Sequence, residues 1–414
     1  MPRRKPRPPY VVRPPTAVLT RGYDPGLSVG SARPAVFRSS TYVFSTPEAA
    51  ERAFAIALGR ARPGPDESPD LIYSRLSHPN AEIVEDHLVP LEPKATAAAV
   101  FNSGMAAIST LLLTFCPRDS TFVHSTPLYG GTQHLIHQLL TPLGIVGRGV
   151  PARDTATLVR TIADTPNLSL VFLETPANPT LAMCDLRACV EAASQRDPAP
   201  IVVVDNTFLG PVFQHPLTLG VDLVVYSATK FLAGHSDMLG GAVLGADNDL
   251  IATLRGTRAV LGNILQPDEC WILDSRLPTV ELRMKRQSKN AQRIAEALAK
   301  HPKVACMHYP SLFTDPEQIR IKNAQSKFPG SVFAFEVVGG KAGAFDFLRR
   351  LRIARNAVSL GGVETLACHP ATTTHSELSE QEQADSGVTP ALVRISIGVE
   401  HHLDLLADFE QALS

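Results

Sequence analysis

A lysine and an aspartate in one block of the chain are its most chemically suggestive residues. The block, residues 202–241, reads VVVDNTFLGPVFQHPLTLGVDLVVYSATKFLAGHSDMLGG. Asp205 ends an apolar, β-branched run, and Lys230 follows a second such run just after Ser227 and Thr229. A lysine there can form a Schiff base with an aldehyde cofactor, neighbouring hydroxyls can bind a phosphate, and an aspartate can hold a pyridinium proton. Each residue alone is ordinary, but together they favour a cofactor site.

A second phosphate-binding candidate precedes this block. Ser103, Gly104 and Met105 follow the apolar run AAAVF and open a predicted helix. Backbone N–H groups and the helix dipole at such a start attract a dianion, and a glycine allows close approach of the backbone. A turn of this kind is a weak signal by itself, so it supports the cofactor interpretation without establishing it.

The elements that must position these residues form an α/β pattern. Continuously apolar runs are typical of strands buried on both faces of a mostly parallel sheet. Helical stretches at 105–115 and 186–195 alternate with them, which predicts a large three-layer α/β domain. The predicted strands lie at 97–101, 121–124, 168–174, 201–205 and 222–226.

A smaller α+β region follows. A long amphipathic helix is predicted at 279–300, and strands at 331–339 and 392–399. The predicted division is an N-terminal arm at 1–77, an α/β domain at 78–280 and a C-terminal α+β domain at 281–414.

Composition narrows the class of protein. The 414 residues include 39 basic and 40 acidic ones, so no global field attracts nucleic acid or an anionic membrane. Apolar runs are too short to span a bilayer. The scattered cysteines offer no C-x-x-C pair, which predicts no metal site and favours buried thiols in a reducing, cytoplasmic compartment. They are Cys116, Cys184, Cys189, Cys270, Cys306 and Cys368.

The N-terminus is basic and rich in proline. Six prolines among residues 1–15 predict an extended arm instead of a helix, and the segment lacks the apolar stretch of a secretory signal. A nucleic-acid tail is conceivable, but a disordered or partner-packed arm is the preferred interpretation.

Dispersed motifs in a fixed order make the chain resemble the Cys/Met-metabolism family of pyridoxal 5′-phosphate (PLP) enzymes. That family contains cystathionine γ-synthase, cystathionine γ- and β-lyases, methionine γ-lyase and O-acylhomoserine sulfhydrylase. Beside the block at 202–241, the motifs are YSRLSHPN (73–80), NSGMAAI (102–108), PLYGGT (127–132), ETPANPT (174–180), SLGGVETLACHPATTTHS (359–376) and LVRISIGVE (392–400).

The resemblance implies a role for each matching residue. Lys230 would carry the cofactor and move protons, Asp205 would pair with the pyridine nitrogen, and Tyr129 would stack on the ring and act as an acid or base. Asn178 would contact the ring's phenolic oxygen. The phosphate would be bound by Ser103, Gly104, Met105, Ser227 and Thr229, and by Tyr73 and Arg75 from a neighbouring subunit.

The resemblance also implies a substrate site and an assembly. Arg394 would bind the α-carboxylate of an amino acid, and Ser359, Val358 and Thr374 would line the same pocket. Tyr73 and Arg75 would make 1–77 an intersubunit segment, within a homotetramer built of two catalytic dimers. The implied fold is PLP-dependent transferase fold type I.

Three positions bear on the subfamily. Methionine γ-lyases usually have a cysteine where this chain has Gly131, whereas cystathionine-handling members usually have a glutamate at Val358 and an arginine near Gln133 and His134. Gly131 argues against an efficient, dedicated methionine γ-lyase. Val358 and His134 weaken a distal site for a second ammonium and carboxylate, and so favour a γ-substituent that is apolar or an ester. We therefore expect γ-elimination or γ-replacement on a sulfur- or O-acyl-substituted amino acid. Cystathionine γ-synthase or cystathionine γ/β-lyase activity is the alternative, and a non-catalytic PLP-binding protein is a remote one.

Overall fold

The computed structural model describes residues 12–64, 67 and 70–414. Its larger sheet is built of seven strands, β1 (Ala97–Phe101), β2 (Thr121–Thr126), β3 (Val146–Pro151), β4 (Leu168–Glu174), β5 (Ile201–Asp205), β6 (Leu223–Ser227) and β7 (Gly241–Gly245). They are ordered β1-β7-β6-β5-β4-β2-β3. β7 is antiparallel to both of its neighbours, and the other pairings are parallel.

Helices cover both faces of this sheet. Those up to α10 are α1 (Pro14–Thr20), α2 (Pro47–Ala57), α3 (Pro79–Leu88), α4 (Gly104–Phe115), α5 (Gly130–Leu135), α6 (Thr155–Asp164), α7 (Leu186–Ser194), α8 (Gly210–Phe213), α9 (Asn248–Leu261) and α10 (Pro267–Arg276). Side chains alternate along β5, so Val203 packs in the cluster with α4 and α9, whereas Val202 and Val204 pack in the cluster with α6 and α7. Both faces are therefore buried, which explains the continuously apolar strands.

The C-terminal part is built on a second sheet. Its elements are α11 (Val280–Leu298), β8 (Val304–His308), α12 (Pro316–Gln325), β9 (Val332–Val337), α13 (Gly340–Arg350), β10 (Arg355–Asn356), β11 (Leu366–Cys368), α14 (Glu380–Asp385), β12 (Leu392–Ser396) and α15 (His402–Leu413). The strands are ordered β10-β11-β12-β9-β8. Their pairings are antiparallel except for β10 with β11.

Helix α11 connects the two parts. Its Arg283 donates to the backbone oxygens of Phe231 and Leu232 beside the larger sheet. One turn further along, Gln287 donates to the backbone oxygens of Gly362 and Ile397 in the C-terminal part. The loops after β6 and β10 are thereby held against one rigid helix.

The predicted fold class, fold type I with a large α/β part and a smaller α+β part, is confirmed, and each predicted strand and helix has a counterpart. Strands β3, β7, β8, β10 and β11 were not predicted. Glycines lie within β3 and at both ends of β7, where they weaken the β pattern. The domain limits at 77/78 and 280/281 stay predictions; the second falls at the first residues of α11.

The prediction that prolines prevent a helix is wrong at Pro14 and Pro15. These two residues open α1, because the first helical positions need no N–H donor and favour the fixed φ of proline. The rest of the predicted extended arm, residues 1–11, lies outside the described residues.

Within the described ranges, no helix is long and apolar enough to cross a membrane. The same residues contain no group of three or more His, Cys, Asp or Glu side chains that could hold a metal ion. All six cysteines are unpaired, and five of them are buried, whereas Cys306 is exposed.

Candidate active site

A cavity of about 550 Å³ lies where β4, β5 and β6 end. The carboxyl ends of neighbouring parallel strands meet at one edge of a sheet, so Glu174, Asp205 and Ser227 come together there. The loop after β6 brings Lys230 into the same cavity, and the C-terminal part closes it with Val358, Ser359, Thr374 and Arg394. The structure thus brings together all the predicted site residues except Tyr73 and Arg75.

Lys230 is a mostly buried amine with one close partner. Its Nζ donates to Ser359 Oγ at 2.7 Å. Burial, and then the positive charge of Arg394, lower the pKa of Lys230 to about 8. An amine with this pKa is partly neutral near pH 8, and the neutral form is the nucleophile and the base.

Asp205 is held by a neighbour that the sequence analysis did not single out. Its Oδ1 accepts from both the backbone N–H and the hydroxyl of Thr207, at 3.0 Å and 2.6 Å. The Thr207 hydroxyl in turn accepts from the backbone N–H of Ser227 at 2.9 Å. Burial raises the pKa of Asp205, so this carboxyl is suited to a cationic partner.

The start of α4 forms one wall. The Ser103 hydroxyl accepts from the N–H of Ala106 at 3.0 Å and caps the helix, so the N–H groups of Gly104 and Met105 precede the first helical bond. A Cβ added at Gly104 would lie 2.8 Å from the Ser227 side chain, so a glycine is needed for this close approach. Thr229 Oγ1 accepts from Gly240 N–H at 3.0 Å, and Thr229 also lines the cavity.

Arg394 links the C-terminal sheet to the cavity. It is buried, and its Nη1 donates to Asn178 Oδ1 at 2.9 Å while Nη2 donates to the Ser359 backbone oxygen at 2.9 Å. Its buried Nε has no hydrogen-bond partner among the described residues. A buried guanidinium with an unsatisfied donor is suited to a carboxylate ligand.

Tyr129 is not the core tyrosine that its sequence environment would ordinarily favour. It is 45% exposed and lines the cavity at the start of α5. A Cβ added at Gly131 would lie 2.7 Å from Tyr129 Cε1 and 3.2 Å from Met105 Sδ. The ring therefore lies in the space that a side chain at position 131 would need.

The mouth of the cavity is less apolar than Val358 suggested. Val358 is half exposed there, beside Thr374 and Leu360. The lining also includes Glu377, whose carboxylate lies 3.2 Å from His134 Nδ1. No sequence signal had indicated Glu377, because it faces the cavity only through the fold of the loop after β11.

Tyr73 and Arg75 do not line the cavity of their own chain. Arg75 Nη1 donates to the backbone oxygen of Ala259 at 2.6 Å, and its guanidinium lies 5.8 Å from the Tyr73 ring centroid. Tyr73 is 43% exposed. Their predicted contact with the cofactor of a neighbouring subunit stays a prediction.

The residues that line the cavity match the chemical groups of PLP. The free N–H groups at the start of α4 suit a phosphate, the buried Asp205 suits a protonated ring nitrogen, and the perturbed amine of Lys230 suits an aldehyde. Arg394 has a donor left for the carboxylate of an amino acid. These residues therefore define the site of an amino-acid-converting PLP enzyme.

Comparisons with known proteins agree with this site. The family model for Cys/Met metabolism PLP-dependent enzymes matches residues 15–414. The chain is 38% identical over 401 residues to an L-methionine γ-lyase from Pseudomonas deceptionensis, covering 96% of each. It is 38% identical over 341 residues to a cystathionine β-lyase from Bacillus subtilis, covering 82% of this chain and 85% of the relative.

A solved structure shows the same fold. A cystathionine γ-synthase from Xanthomonas oryzae pv. oryzae superposes with a TM-score of 0.88 at 32% identity, covering 98% of each chain. The chain belongs to the Cys/Met-metabolism family of PLP-dependent enzymes, and its cofactor is PLP. The predicted function and its cystathionine alternative both lie within this family.

The depressed pKa of Lys230 leads to a first prediction. In the PLP-free protein, PLP followed by borohydride should label Lys230 at a rate that increases with pH and reaches half of its maximum near pH 8. The reason is that only the neutral amine attacks an aldehyde. Peptide mass spectrometry across roughly pH 6–11 measures this rate, and exposed lysines in the same sample serve as internal controls. A midpoint equal to that of the exposed lysines would contradict the burial argument.

Proposed function

We propose that the protein catalyses γ-elimination or γ-replacement on an amino acid with a sulfur or O-acyl substituent at Cγ. The observation that carries this proposal is the single cavity shared by Lys230, Asp205, Tyr129 and Arg394. The named activities of the relatives, methionine γ-lyase and cystathionine lyases among them, support a carbon–sulfur substrate class.

Each side chain has a distinct task in this proposal. PLP, when bound, supplies the aldehyde that joins the substrate amine and the ring that accepts electrons from Cα. Asp205 keeps the ring nitrogen protonated, and the N–H groups of Gly104 and Met105 with the hydroxyls of Ser227 and Thr229 hold the phosphate. Asn178, which lines the same cavity, would contact the ring's phenolic oxygen.

The substrate is oriented by Arg394, whose guanidinium binds the α-carboxylate and so turns the Cα proton towards Lys230. Lys230, as the neutral amine, removes that proton and passes it on. It then removes a proton from Cβ, and the electrons of that broken bond expel the γ-substituent. Ser359 keeps the amine in place through its 2.7 Å contact. Tyr129, which lines the cavity and would stack on the ring, would protonate the leaving group at Cγ.

The branch between elimination and replacement lies outside these residues. Lys230, Tyr129 and Arg394 have the same tasks in both reactions up to loss of the γ-substituent. The outcome after that loss depends on whether water or an added nucleophile reaches the unsaturated product. The shape and charge of the cavity mouth therefore select the reaction.

The proposed assembly is a homotetramer of two catalytic dimers. Tyr73 and Arg75 lie at the surface of their own chain and away from its cavity, which is compatible with a contact to a neighbouring site. A cytoplasmic location is proposed with it, because the unpaired, mostly buried thiols suit a reducing compartment.

Cystathionine is the second candidate substrate, and Glu377 favours it. A substrate with a second ammonium and carboxylate needs charged partners at the distal end of the cavity. Glu377 at the mouth offers a carboxylate for the ammonium, and the His134 imidazole, with its Nδ1 3.2 Å from that carboxylate, offers a partner for the distal carboxylate. Val358 argues in the opposite direction, because it places an apolar group where a distal ammonium would need a carboxylate.

Loss of Lys230 tests the reaction itself. Lys230→Ala should still bind PLP through the phosphate and Asp205, but turnover should fall by several orders of magnitude, since nucleophile and proton carrier are lost together. The assay is mass spectrometry of methionine, homocysteine, cystathionine and O-acylhomoserines, with and without thiols. Activity within about tenfold of wild type would refute the mechanism.

Mixed dimers test the assembly. An inactive Arg75→Ala chain mixed with an inactive Lys230→Ala chain should regain activity, because one site of each hybrid then has both residues intact. Activity is measured after tagging and purifying the hybrids. Failure in verified hybrids would place Arg75 in the site of its own chain or outside the site.

Val358→Glu tests the substrate class. A carboxylate at position 358 can pair with the distal ammonium of cystathionine, and this contact would contribute about 1.5–3 kcal/mol to binding. Against the methylthio or acyl group of the other substrates, the carboxylate would have no partner. The variant should raise kcat/KM for cystathionine relative to methionine or O-acetylhomoserine by roughly tenfold. Val358→Gln is the uncharged control.

The same assay decides between the two candidates. If wild type already prefers cystathionine and Val358→Glu leaves the ratio unchanged, the apolar interpretation of the mouth is wrong. In that case Glu377→Gln should lower the cystathionine preference, because it removes the carboxylate beside His134.

A further inference from the structure

Glu174 is a second buried carboxylate in the cavity, and the roles above do not use it. It is the last residue of β4 and only 4% exposed. Its register partner on β5 is Asp205, and paired residues of parallel strands direct their side chains to the same face. Two carboxyl groups therefore lie side by side in one buried site, which is costly unless each is compensated.

The compensation of Glu174 comes from two different loops that line the cavity. Its Oε2 accepts from the backbone N–H of Tyr129 at 2.8 Å, and its Oε1 accepts from that of Asn178 at 3.1 Å. Each oxygen thus holds one loop. Tyr129 carries the proposed stacking ring, and Asn178 accepts from Arg394, so the Glu174 side chain links the loop of the ring to the loop that contacts the arginine.

The charge on Glu174 depends on its neighbours. Burial and the adjacent Asp205 raise the pKa of Glu174, whereas the two backbone donors and Arg394 lower it. Asp205 from β5 and Arg394 from β12 are the charged groups that act on it. A cation paired with Asp205 removes the repulsion between the two carboxyls, and Glu174 can then hold its negative charge.

The strength of both backbone contacts depends on that charge. A hydrogen bond to an ionised acceptor is roughly twice as strong as one between neutral groups. The N–H groups of Tyr129 and Asn178 are therefore bound more tightly when Glu174 is ionised. If Glu174 had only a structural role, its hydrogen bonds to the Tyr129 and Asn178 N–H groups would be equally strong with and without a cation at Asp205.

We propose that Glu174 is a positioning residue that couples the cation held by Asp205 to the order of the Tyr129 and Asn178 loops. This inference rests on the proposed function only in taking the protonated ring nitrogen of PLP as that cation. Binding of the cofactor then fixes the ring and carboxylate contacts of the site before any substrate arrives.

Hydrogen exchange of the two donors measures this coupling directly. In wild type, the Tyr129 and Asn178 amides should exchange about tenfold more slowly with PLP than without it. In Glu174→Gln, the side-chain NH2 group must face one of the two N–H donors and no charge is available. The effect of PLP on at least one amide should then fall below about threefold.

Asp408→Asn is the matched control. Asp408 lies on the C-terminal helix α15 and is likewise buried. Its carboxylate accepts from the backbone N–H groups of Arg352, Ile353 and Ala354. This variant should keep the wild-type effect of PLP on both amides. Glu174→Asp, which keeps the charge but shortens the reach, replaces Glu174→Gln if the latter does not fold, and it too should lose part of the effect.

Equal PLP-dependent protection in wild type and the Glu174 variants would overturn the proposal, as would a PLP effect that is absent in wild type. The samples contain no substrate, so this outcome is independent of the turnover assays. A protein that converts none of the tested amino acids but shows the coupling would refute the proposed function alone.

Discussion

The ends of three parallel strands carry Glu174, Asp205 and, just beyond, Lys230 into one buried cavity, and their ionisable groups must be compensated together. Two neighbouring carboxyls and one amine cannot all be ionised there without close partners, because a buried charge costs several kcal/mol. Thr207 supplies donors to Asp205, and the backbones of the two flanking loops supply donors to Glu174. The cofactor's cationic nitrogen and its aldehyde complete this balance in the proposed holoenzyme.

The C-terminal part contributes to the same balance. Arg394 binds Asn178 on one side and the backbone of Ser359 on the other, and Ser359 accepts from Lys230. Ser359 has a φ of 90°, a conformation that a residue with a side chain adopts at a cost. The contacts of its oxygens with Lys230 and Arg394 hold it there, so the proposed substrate-binding and cofactor-binding groups meet at one strained residue.

The inner part and the mouth of the cavity differ in how well they tolerate amino-acid substitutions. The inner part is a connected hydrogen-bond network from Thr207 to Arg394, in which a change at one residue leaves another unsatisfied. At the mouth, Val358 and Glu377 are exposed enough to be exchanged without such a penalty. Substrate choice within this family can therefore change at the mouth while the proposed chemistry is retained.

The sequence by itself determined the fold class, the cofactor and the strand-end positions of Lys230 and Asp205, because buried parallel strands have a distinctive apolar pattern and the motifs occur in a fixed order. It did not reveal β3 and β7, which contain too many glycines, or the helix that two prolines open. Only the tertiary structure decided which distant residues meet, such as His134 with Glu377, or Glu174 with the loops of Tyr129 and Asn178. No spacing in the sequence encodes such distances, because the loops are positioned by the packing of both sheets against α11. The perturbed pKa of Lys230 has the same origin, since burial and a neighbouring charge exist only in the folded chain.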